Sequence, residues 1–576
     1  MKEAVLSLKN LSIRFGEQKA VVKGVHYDLK KGETLGIVGE SGSGKSLSSL
    51  SIMGLLHPGA SIESGSILFQ KAENEKPIDL LSLTKSEMRS YRGKEVAMIF
   101  QEPMTSLNPV MPCGEQVTEA IKLHFGKPNK EAKKEVIEWF KEVKLPRPEQ
   151  LYKAYPHELS GGQKQRVMIA MAMCCKPKVL IADEPTTALD VTVQKFILEL
   201  IKKLQDKYGM SVIFITHDLG VVAEIADRVI VMKNGEVVEE GNSKEIFIQA
   251  KHPYTKGLIA CRPPVDYRLK RLPTVQDFLK AGSNEKALSD LSIKQTKEER
   301  KAQLTELFQR PKLIEVKDLK TYFPIRKGIF RKVVDHIKAV DTVSFDIYQG
   351  ETLGLVGESG CGKTSLGRSL LQLIPPSSGE VWYNGQDICK MNESSFQPFR
   401  KELQIIFQDP YSSLNPRMKV GKAIQEPMEV HKIGGNRKQQ KDKVIELMET
   451  VGLKAEQYHR YPHEFSGGQR QRICIARALA LSPKFIVCDE SVSALDVSVQ
   501  AQVLNLLNDL KQQFNFTYLF ISHDLSVVKY MSDRLIVMKD GKIEESGVAE
   551  EVYANPQSSY TKELISAIPL VENSFV

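Results

Sequence analysis

The sequence predicts an α/β protein in which one domain occurs twice, and two observations support this. First, short motifs recur in the same order: Leu159-Ser-Gly-Gly-Gln163 returns as Phe465-Ser-Gly-Gly-Gln469, and Asp183-Glu184 returns as Asp489-Glu490. Both pairs are 306 residues apart. Second, apolar β-type runs alternate with helical patterns, which predicts a mostly parallel sheet with helices on its faces. We therefore expect two tandem cores of one design.

Each copy is expected to carry two smaller parts beside this sheet. Alternating apolar and polar residues at the start of each half, such as Leu6–Ile13, predict an antiparallel β subdomain. Continuous apolar runs at Thr34–Val38 and Thr352–Val356 predict buried strands of the parallel sheet. After Gln101 and Gln408 the pattern becomes helical and polar, which predicts a helical subdomain inserted into each core.

A segment without motifs separates the two halves. Between residues 266 and 311 the chain is charged and interrupted by Gly and Ser, as interdomain linkers are. Within it, Lys297–Phe308 is a candidate short helix. We predict a first domain at residues 1–265, this linker at 266–311 and a second domain at 312–576.

Composition places the chain among soluble globular proteins. It is 41% hydrophobic and 26% charged, which excludes disordered and collagen-like classes. No apolar run reaches the roughly 18 residues of a membrane helix, and the start lacks the apolar stretch of a signal peptide, so we expect a cytosolic chain. The eight cysteines never form a C-x-x-C, so neither disulfides nor a zinc site is expected. The net charge of +9 is interpreted as a diffuse basic surface, and no nucleic-acid partner is expected.

Two loops of the form G-x-x-x-x-G-K-[ST] follow the predicted buried strands, at residues 39–46 and 357–364. Glycines let backbone N–H groups close around phosphate oxygens, the lysine reaches the β- and γ-phosphates of ATP, and the Ser or Thr hydroxyl coordinates Mg²⁺. The candidate nucleotide-binding residues of these loops are Gly39, Gly42, Gly44, Lys45 and Ser46, with Gly357, Gly360, Gly362, Lys363 and Thr364. ATP and Mg²⁺ are therefore the expected cofactors.

Acidic pairs follow later apolar runs in both halves. Beside a phosphate loop, the first carboxylate of a pair can hold Mg²⁺, and the second can polarise the attacking water as a general base. A histidine follows the next apolar strand and can contact the γ-phosphate. The metal candidates are Asp183 and Asp489, and the catalytic candidates are Glu184, Glu490, His217 and His523.

The Ser-Gly-Gly-Gln motif is absent from ordinary phosphate-loop ATPases. Together with the loops and acidic pairs it makes the chain resemble ATP-binding cassette (ABC) ATPases in a fused two-domain form. The resemblance covers nearly the whole chain outside the linker. It implies two tandem P-loop NTPase cassettes that pack head to tail, with each ATP held between the phosphate loop of one cassette and the signature motif of the other. Closure of the pair is then expected to depend on ATP.

Further site residues follow from the same resemblance. Phe15 and Phe323 correspond to the aromatic residue that stacks on adenine. Gln101 and Gln408 correspond to the glutamine that senses the attacking water and Mg²⁺, which makes them metal-site candidates. The remaining positions belong to the signature and to the loop that crosses the cassette interface: Ser160, Gly162, Ser466 and Gly468 for the signature, Asp190 and Asp496 for the loop.

The second half departs from the family pattern at one position. Ser491 replaces the proline that follows the acidic pair and that the first half keeps as Pro185. The acids, the histidine and the signature are present in both halves. Two hydrolysis-competent sites are therefore expected.

Within the family, the phrases around the two glutamines resemble bacterial importers of dipeptides, oligopeptides, glutathione and nickel. They read Ile-Phe-Gln101-Glu-Pro-Met-Thr-Ser-Leu-Asn-Pro109 and Ile-Phe-Gln408-Asp-Pro-Tyr-Ser-Ser-Leu-Asn-Pro416, with a supporting phrase at His252-Pro-Tyr-Thr255. The resemblance implies an ATPase that drives peptide import through two integral membrane permease subunits, served indirectly by a solute-binding protein. The chain would then be peripheral, at the cytoplasmic face of the inner membrane.

Two alternatives are weighed against this interpretation. A soluble tandem-cassette ATPase that acts on ribosomes would carry Asn-His before the Leu-Asp pair, where this chain has Thr187-Ala188 and Ser493-Ala494. The ATPase of an exporter uses the same motifs and is harder to separate. Some relatives carry a cysteine cluster after the first cassette, but only Cys261 lies there, so no iron-sulfur cluster is expected.

Overall fold

The computed structural model describes residues 3–17, 19–72, 74–101, 106–187, 189–282, 291, 293–327, 330 and 332–568. Parts of the predicted motifs, linker and second domain lie outside the described residues, namely 102–105, Ala188, 283–290, 292, 328–329, 331 and 569–576. The described chain forms two compact units. The first comprises residues 3–189 and 193–259, and the second comprises residues 190–192 and 260–568.

The described strands of the first unit form two sheets. They are β1 (Ala4–Phe15), β2 (Val22–Lys30), β3 (Thr34–Val38), β4 (Ala60–Phe69), β5 (Ile78–Asp79), β6 (Val96–Ile99), β7 (Val179–Asp183), β8 (Ser211–Ile215), β9 (Arg228–Lys233) and β10 (Glu236–Asn242). An antiparallel sheet has the order β2-β1-β4-β5, and a six-stranded sheet has the order β10-β9-β3-β8-β7-β6. In the larger sheet only β9 and β10 pair antiparallel. The prediction of a mostly parallel sheet with an antiparallel subdomain is confirmed.

Helices cover the larger sheet and form the predicted insertion. They are α1 (Lys45–Ile52), α2 (Lys85–Tyr91), α3 (Cys113–Phe125), α4 (Asn129–Glu142), α5 (Pro148–Lys153), α6 (Gly161–Met173), α7 (Val191–Tyr208), α8 (Leu219–Ile225), α9 (Ser243–Ile248) and α10 (Pro253–Ala260). The insertion after Gln101 consists of α3, α4 and α5, which bury Trp139 and Phe140 in a shared apolar core with α6 and α7. That core connects the helical subdomain to the sheet.

The second unit repeats this architecture. Its strands are β11 (Lys312–Lys327), β12 (Lys332–Tyr348), β13 (Thr352–Val356), β14 (Ser378–Tyr383), β15 (Gln386–Asp387), β16 (Leu403–Ile406), β17 (Phe485–Asp489), β18 (Thr517–Ile521), β19 (Arg534–Lys539) and β20 (Lys542–Val548). The sheet orders are β12-β11-β14-β15 and β16-β17-β18-β13-β19-β20. β11 and β12 have 16 and 17 residues, against 12 and 9 for β1 and β2. The two copies therefore differ most in this hairpin.

The helices of the second unit begin in the predicted linker. They are α11 (Val275–Ala281), α12 (Lys297–Gln309), α13 (Lys363–Leu370), α14 (Glu393–Phe396), α15 (Val420–Val430), α16 (Arg437–Thr450), α17 (Gly467–Leu479), α18 (Val497–Phe514), α19 (Leu525–Met531), α20 (Ala549–Ala554) and α21 (Ser559–Ser566). The candidate helix at Lys297–Phe308 is confirmed as α12. Thr296 caps its N-terminus in a reciprocal capping box with Glu299.

Strand direction positions the candidate site in each unit. β3, β7 and β8 run parallel and are buried throughout, so their carboxyl ends meet at one edge of the sheet. The loops after these strands carry the phosphate loop, the acidic pair and the histidine, and ligands of open α/β sheets bind at this edge. Across the described ranges, we find no helix with the length and apolar character needed to cross a membrane.

Candidate nucleotide site

The first phosphate loop lies between β3 and α1. Gly39 and Gly44 have φ angles of 151° and 95°, and a Cβ on Gly39 would come within 2.2 Å of the Met232 carbonyl oxygen. Only glycine permits that backbone approach. Lys45 Nζ folds back over the loop and donates to the carbonyl oxygens of Gly39 at 2.7 Å and Glu40 at 2.8 Å. Its ammonium group therefore lies directly beside the loop whose N–H groups can receive phosphate.

The second phosphate loop, between β13 and α13, is built in the same way. Gly357 and Gly362 have φ angles of 150° and 106°. Lys363 Nζ donates to the carbonyl oxygens of Gly357 at 2.8 Å and Glu358 at 2.9 Å. The Cys361 sulfur lies 3.9 Å from Lys363 Nζ, and burial raises the pKa of its thiol. In both loops the lysine ammonium group therefore lies beside the backbone turn, where it can bind an anion.

The hydroxyl group after each lysine meets the first acid of each pair. Ser46 Oγ donates to Asp183 Oδ1 at 3.1 Å, and Thr364 Oγ1 donates to Asp489 Oδ1 at 2.8 Å. Burial raises the pKa of Asp183 to about 6, and burial also raises the pKa of Asp489. A hydroxyl and a carboxylate beside a phosphate loop are the oxygen ligands that Mg²⁺ uses together with waters and phosphates.

Three side chains converge on Glu184, the second acid of the first pair. Gln101 Nε2 donates to Glu184 Oε2 at 2.9 Å, Thr187 Oγ1 donates to it at 3.0 Å, and His217 Nδ1 lies 3.2 Å away. Burial by itself would raise the pKa of Glu184, but the hydrogen bond and charge of His217 outweigh burial and lower that pKa to about 2. Burial by itself would lower the pKa of His217, but the hydrogen bond and charge of Glu184 outweigh burial and raise that pKa. An ionised Glu184 thus faces the sheet edge.

Glu490 has a similar set of contacts in the second unit. Gln408 Nε2 donates to Glu490 Oε2 at 2.8 Å, and His523 Nδ1 lies 3.4 Å from the same oxygen. Against the effect of burial, His523 lowers the pKa of Glu490. Ser493 Oγ bonds the Glu490 carbonyl oxygen rather than its carboxylate. The second glutamate therefore lacks the hydroxyl contact that Thr187 makes in the first.

Both glutamates also have an unusual backbone. Glu184 and Glu490 have φ angles of 48° and 47°, in the left-handed region that residues other than glycine seldom adopt. Such strain is concentrated at functional sites, where the surrounding structure imposes it. Because the same turn recurs in both copies, we infer that it serves to position the second carboxylate at the carboxyl end of the strand.

The signature motifs form helix N-termini. Ser160 caps α6 by accepting from the Gln163 N–H at 3.3 Å, and Ser466 caps α17 by accepting from the Gln469 N–H at 3.4 Å. The remaining N–H groups of each first turn give a positive helix end suited to phosphate. Gly162 packs tightly, because a Cβ there would lie 2.8 Å from a Val193 methyl group. In the second unit Gly468 is confined in the same way by the side chain of Val499.

The remaining predicted residues lie apart from the clusters around the glutamates. Phe15 is the last residue of β1, and Phe323 lies in β11 with 37% of its surface exposed. Asp496 caps α18 by accepting from the Val499 N–H at 3.0 Å, and Asp190 directly precedes α7. Each unit therefore brings together its phosphate loop, acids, glutamine and histidine, while the aromatic and signature residues occupy separate elements.

Two tyrosines contact the phosphate loops and were not predicted as site residues. Tyr254 Oη accepts from the Glu40 N–H at 3.1 Å, and Tyr560 Oη accepts from the Glu358 N–H at 3.1 Å. Both are buried, and each carries a lysine ammonium over its ring. The signal was present in the sequence, because a Tyr-Thr pair recurs 306 residues later.

Removing these hydroxyls is expected to weaken nucleotide binding without unfolding the chain. Tyr254→Phe and Tyr560→Phe each delete one hydrogen bond, worth about 1 kcal/mol, that fixes the backbone of a loop. We expect the affinity of the altered loop for ATP to fall about fivefold, as measured by titration with a fluorescent ATP analogue. Tyr208→Phe, at the end of α7, is the control, and equal affinity in all three variants would contradict the assignment.

Arg368 is a third residue that sequence reasoning missed. Its guanidinium group lies 3.7 Å from Asp489 Oδ2, whereas the first unit has Leu50 at the matching position of α1. Because this position differs between the copies, comparison of the two halves gave no signal. At this position the second acidic site therefore has a guanidinium group where the first site has an apolar side chain.

A phosphate loop, an acidic pair, a converging glutamine and histidine, and a capped signature helix on an α/β core define a P-loop ATPase of the cassette type, here present twice. A family model described as ABC transporter matches residues 22–187 and 340–493. A second model, Oligopeptide/dipeptide transporter, C-terminal region, matches residues 238–283. The chain belongs to the ABC transporter family and is a transport ATPase that binds ATP.

Curated proteins match almost the whole chain. The glutathione import ATP-binding protein GsiA of Salmonella typhimurium is 49% identical over 575 residues, which is 99% of this chain and 90% of that protein. The protein of the same name from Pectobacterium atrosepticum is 47% identical over 577 residues, 100% and 91% of the two chains. That of Escherichia coli O6:H1 is 48% identical over 574 residues, 99% and 90%. The predicted resemblance to the peptide and glutathione importer group is confirmed.

Proposed function

We propose that this chain hydrolyses ATP at two sites to drive the import of peptide-type solutes, glutathione among them, through membrane permease subunits. The observation that carries the proposal is that both units repeat three sets of contacts: the lysine on its phosphate loop, the hydroxyl on the first acid, and the glutamine and histidine on the second acid. The relatives named for glutathione import match over nearly their full length. We further propose the division into a first domain at 1–265, a linker at 266–311 and a second domain at 312–576.

In this proposal Glu184 and Glu490 act as general bases. An attacking water bound at the carboxylate gives its proton to that group as its oxygen attacks the γ-phosphorus of ATP. The bond between the γ-phosphorus and the bridging oxygen of the β-phosphate breaks at the same time, so that ADP leaves. The low pKa of Glu184, about 2, keeps this group ionised at neutral pH. Gln101 and His217 orient the carboxylate, and both side chains are placed to contact the water or the γ-phosphate once ATP is bound.

Mg²⁺ fits the oxygen ligands beside each phosphate loop. Because each hydroxyl and its acid already share a hydrogen bond, they can turn together toward one cation. The proposed metal-site residues are Ser46, Gln101 and Asp183 in the first copy, and Thr364, Gln408 and Asp489 in the second. The cation supplies charge neutralisation at the β- and γ-phosphates. The chain's own lysines, Lys45 and Lys363, would bind the same phosphates.

The aromatic and signature residues complete the proposed ATP sites. Phe15, which is partly buried, and Phe323, which is exposed, lie in the antiparallel sheets and stack on adenine. The signature serines and glycines of one cassette, Ser160 and Gly162 or Ser466 and Gly468, meet the γ-phosphate held by the phosphate loop of the other cassette, with Asp190 and Asp496 in the loops that cross the interface. ATP-dependent closure of the two cassettes is the proposed power stroke.

Exposed apolar groups in the helical subdomains support docking to permeases. Leu123, in α3, and Val430, in α15, occupy matching positions, and they are 74% and 66% exposed. Val430 borders a cavity of about 380 Å³ that Leu373, Phe407 and Pro427 also line. A short amphipathic helix of a membrane subunit fits such a groove. We propose two permeases, one for each helical subdomain, which would hold the chain peripherally at the cytoplasmic face of the inner membrane and link it indirectly to a solute-binding protein.

Charged replacements at these two exposed apolar positions are expected to uncouple the ATPase from its membrane partners. Leu123→Asp together with Val430→Asp places carboxylates in an apolar contact. Co-purification with permeases should fall at least tenfold, while the isolated chain keeps its basal ATP hydrolysis. Lys130→Asp with Lys438→Asp changes exposed residues of the neighbouring helices and serves as the control. Unchanged co-purification of the variant with Leu123→Asp and Val430→Asp would contradict docking through these positions.

The proposed function as a whole is tested by affinity purification of the tagged chain from detergent-solubilised native membranes. Mass spectrometry is expected to find two polytopic membrane subunits. Vesicles that contain the recovered complex should then accumulate labelled glutathione or dipeptides only with ATP inside the compartment that the chain faces. Ribosomal proteins without membrane subunits, or accumulation that does not depend on ATP, would overturn the proposal.

A further inference from the structure

The segment between the two cassette motif sets packs against the second cassette. We call residues 265–282 and 293–310 the docking segment. The backbone N–H and C=O of Leu272 bond the side chain of Asn505 at 3.0 and 2.8 Å, and Arg271 forms a two-oxygen ion pair with Asp509 at 3.0 Å. Asn505 is only 2% exposed. Two residues one turn apart on α18 therefore bind this segment.

A buried ion cluster holds the rest of the docking segment. Arg300, in α12, donates through Nη1 to Asp533 Oδ1 at 2.8 Å and through Nε to Glu550 Oε1 at 2.9 Å. Arg268 reaches the same Glu550 oxygen at 3.1 Å. Arg300 and Asp533 are 8% and 9% exposed. Charges with so little solvent persist only when paired, so the cluster defines one seating of the segment.

Asp533 connects this cluster to the second phosphate loop. Its Oδ2 accepts from the N–H of Thr352 at 2.9 Å and from Lys511 Nζ at 2.9 Å, and Lys511 also bonds Thr352 Oγ1 at 2.8 Å. Thr352 is the first residue of β13, which leads directly into Gly357. Arg300 is thus separated from the start of the phosphate-loop strand by a single carboxylate.

The first cassette has the same hydrogen bond from an aspartate to the first residue of its phosphate-loop strand, but it lacks the residues that bind the docking segment in the second cassette. Asp227 accepts from the N–H of Thr34 at 2.8 Å, as Asp533 does from Thr352, yet Asp227 is exposed. The three positions that match Asn505, Asp509 and Glu550 are Glu199, Lys203 and Lys244. A lysine in place of each acid would repel the arginines of the segment. Recognition is therefore specific to the second cassette.

We propose that the docking segment is a clamp selective for the second cassette, and that Arg300 is a positioning residue which, through Asp533 and Thr352, supports nucleotide binding at the second phosphate loop only. This inference rests on the proposed role of that loop as an ATP site. Because the clamp is linked only to the second phosphate loop, the two ATP sites differ in the contacts that support them, although their motifs match. It also gives the interdomain residues a role beyond tethering.

The test compares matched variants of the full chain. Arg300→Ala removes the central cation, and Lys301→Ala changes the exposed neighbour. Asn505→Glu installs the residue that the first cassette carries at that position, where it is compatible with the fold, and Glu199→Asn is its reciprocal control. Hydrogen exchange measures the release of α12, and an azido-ATP photolabel followed by peptide mapping measures the nucleotide bound at each phosphate loop.

For Arg300→Ala and Asn505→Glu we expect exchange in α12 to become about tenfold faster and labelling of the second cassette to fall roughly threefold or more. In these two variants, labelling of the first cassette should match that of the wild type. The control variants, Lys301→Ala and Glu199→Asn, should match the wild type in both measurements. Release of α12 with unchanged labelling of the second cassette would overturn the coupling, and unchanged exchange in α12 would overturn the recognition. Absence of label from both cassettes of the wild type would instead contradict the proposed ATP sites.

Discussion

A chain that carries both Glu184→Gln and Glu490→Gln is expected to retain ATP and to lose at least 100-fold in turnover, because positioned general bases contribute about 10²- to 10⁴-fold. A glutamine side chain has nearly the size of glutamate and can stay beside Gln101 or Gln408. Its amide group, however, cannot take a proton from water. Phosphate release measures turnover, and rapid filtration with labelled ATP measures retention.

Two sets of variants test whether this result is specific to Glu184 and Glu490: the two single variants and a pair of substitutions remote from both sites. Each single change should leave the other glutamate able to act, so the two single variants separate the sites. Glu149→Gln with Glu456→Gln removes one exposed carboxylate from each helical subdomain and should leave turnover unchanged. Wild-type turnover in the double variant at 184 and 490 would exclude these residues as bases.

Loss of both phosphate-loop lysines is expected to have the next largest effect. Lys45→Ala and Lys363→Ala each remove an ammonium group that lies beside its loop, and hydrogen bonds to charged groups contribute about 1.5–3 kcal/mol. We therefore expect ATP affinity to fall roughly 10- to 100-fold at each altered loop. Equilibrium titration with a fluorescent ATP analogue measures the affinity.

The pair of single variants also tests whether the loops bind independently. Lys45→Ala should leave one wild-type affinity, at the second loop, and Lys363→Ala should leave one at the first. Lys9→Ala, an exposed change in β1, is the control. Full affinity in the double variant would show that phosphate is held without these lysines.

The parallel core was predictable because its signals are local. β3 and β13 coincide with the predicted runs Thr34–Val38 and Thr352–Val356, since five consecutive apolar or small residues before a glycine turn fit a strand buried on both faces. The phosphate loop and the acid that follows β7 were predictable for a related reason, because each lies next to a strand whose end fixes its position.

The contacts that sequence reasoning missed come from distant parts of the chain. Tyr254 reaches the first phosphate loop across more than 200 intervening residues, and its motif gives no sign of which hydrogen bond it makes. Arg300 bonds Asp533 over a similar separation, and a charged segment with few apolar residues has the composition of a solvated linker. Periodicity reports which face of an element is buried, but it does not identify the partner of a buried charge.

The seating of the docking segment determines where this chain could be divided into two separately encoded subunits. Such a division must leave each product with its buried charges paired. A break just before residue 312 would strand Asp533 and Glu550 on a second subunit without Arg268 and Arg300. A break between residues 259 and 265 would keep the whole ion cluster on one polypeptide, so the boundary that protein engineering should respect lies about 50 residues upstream of the second cassette's first strand.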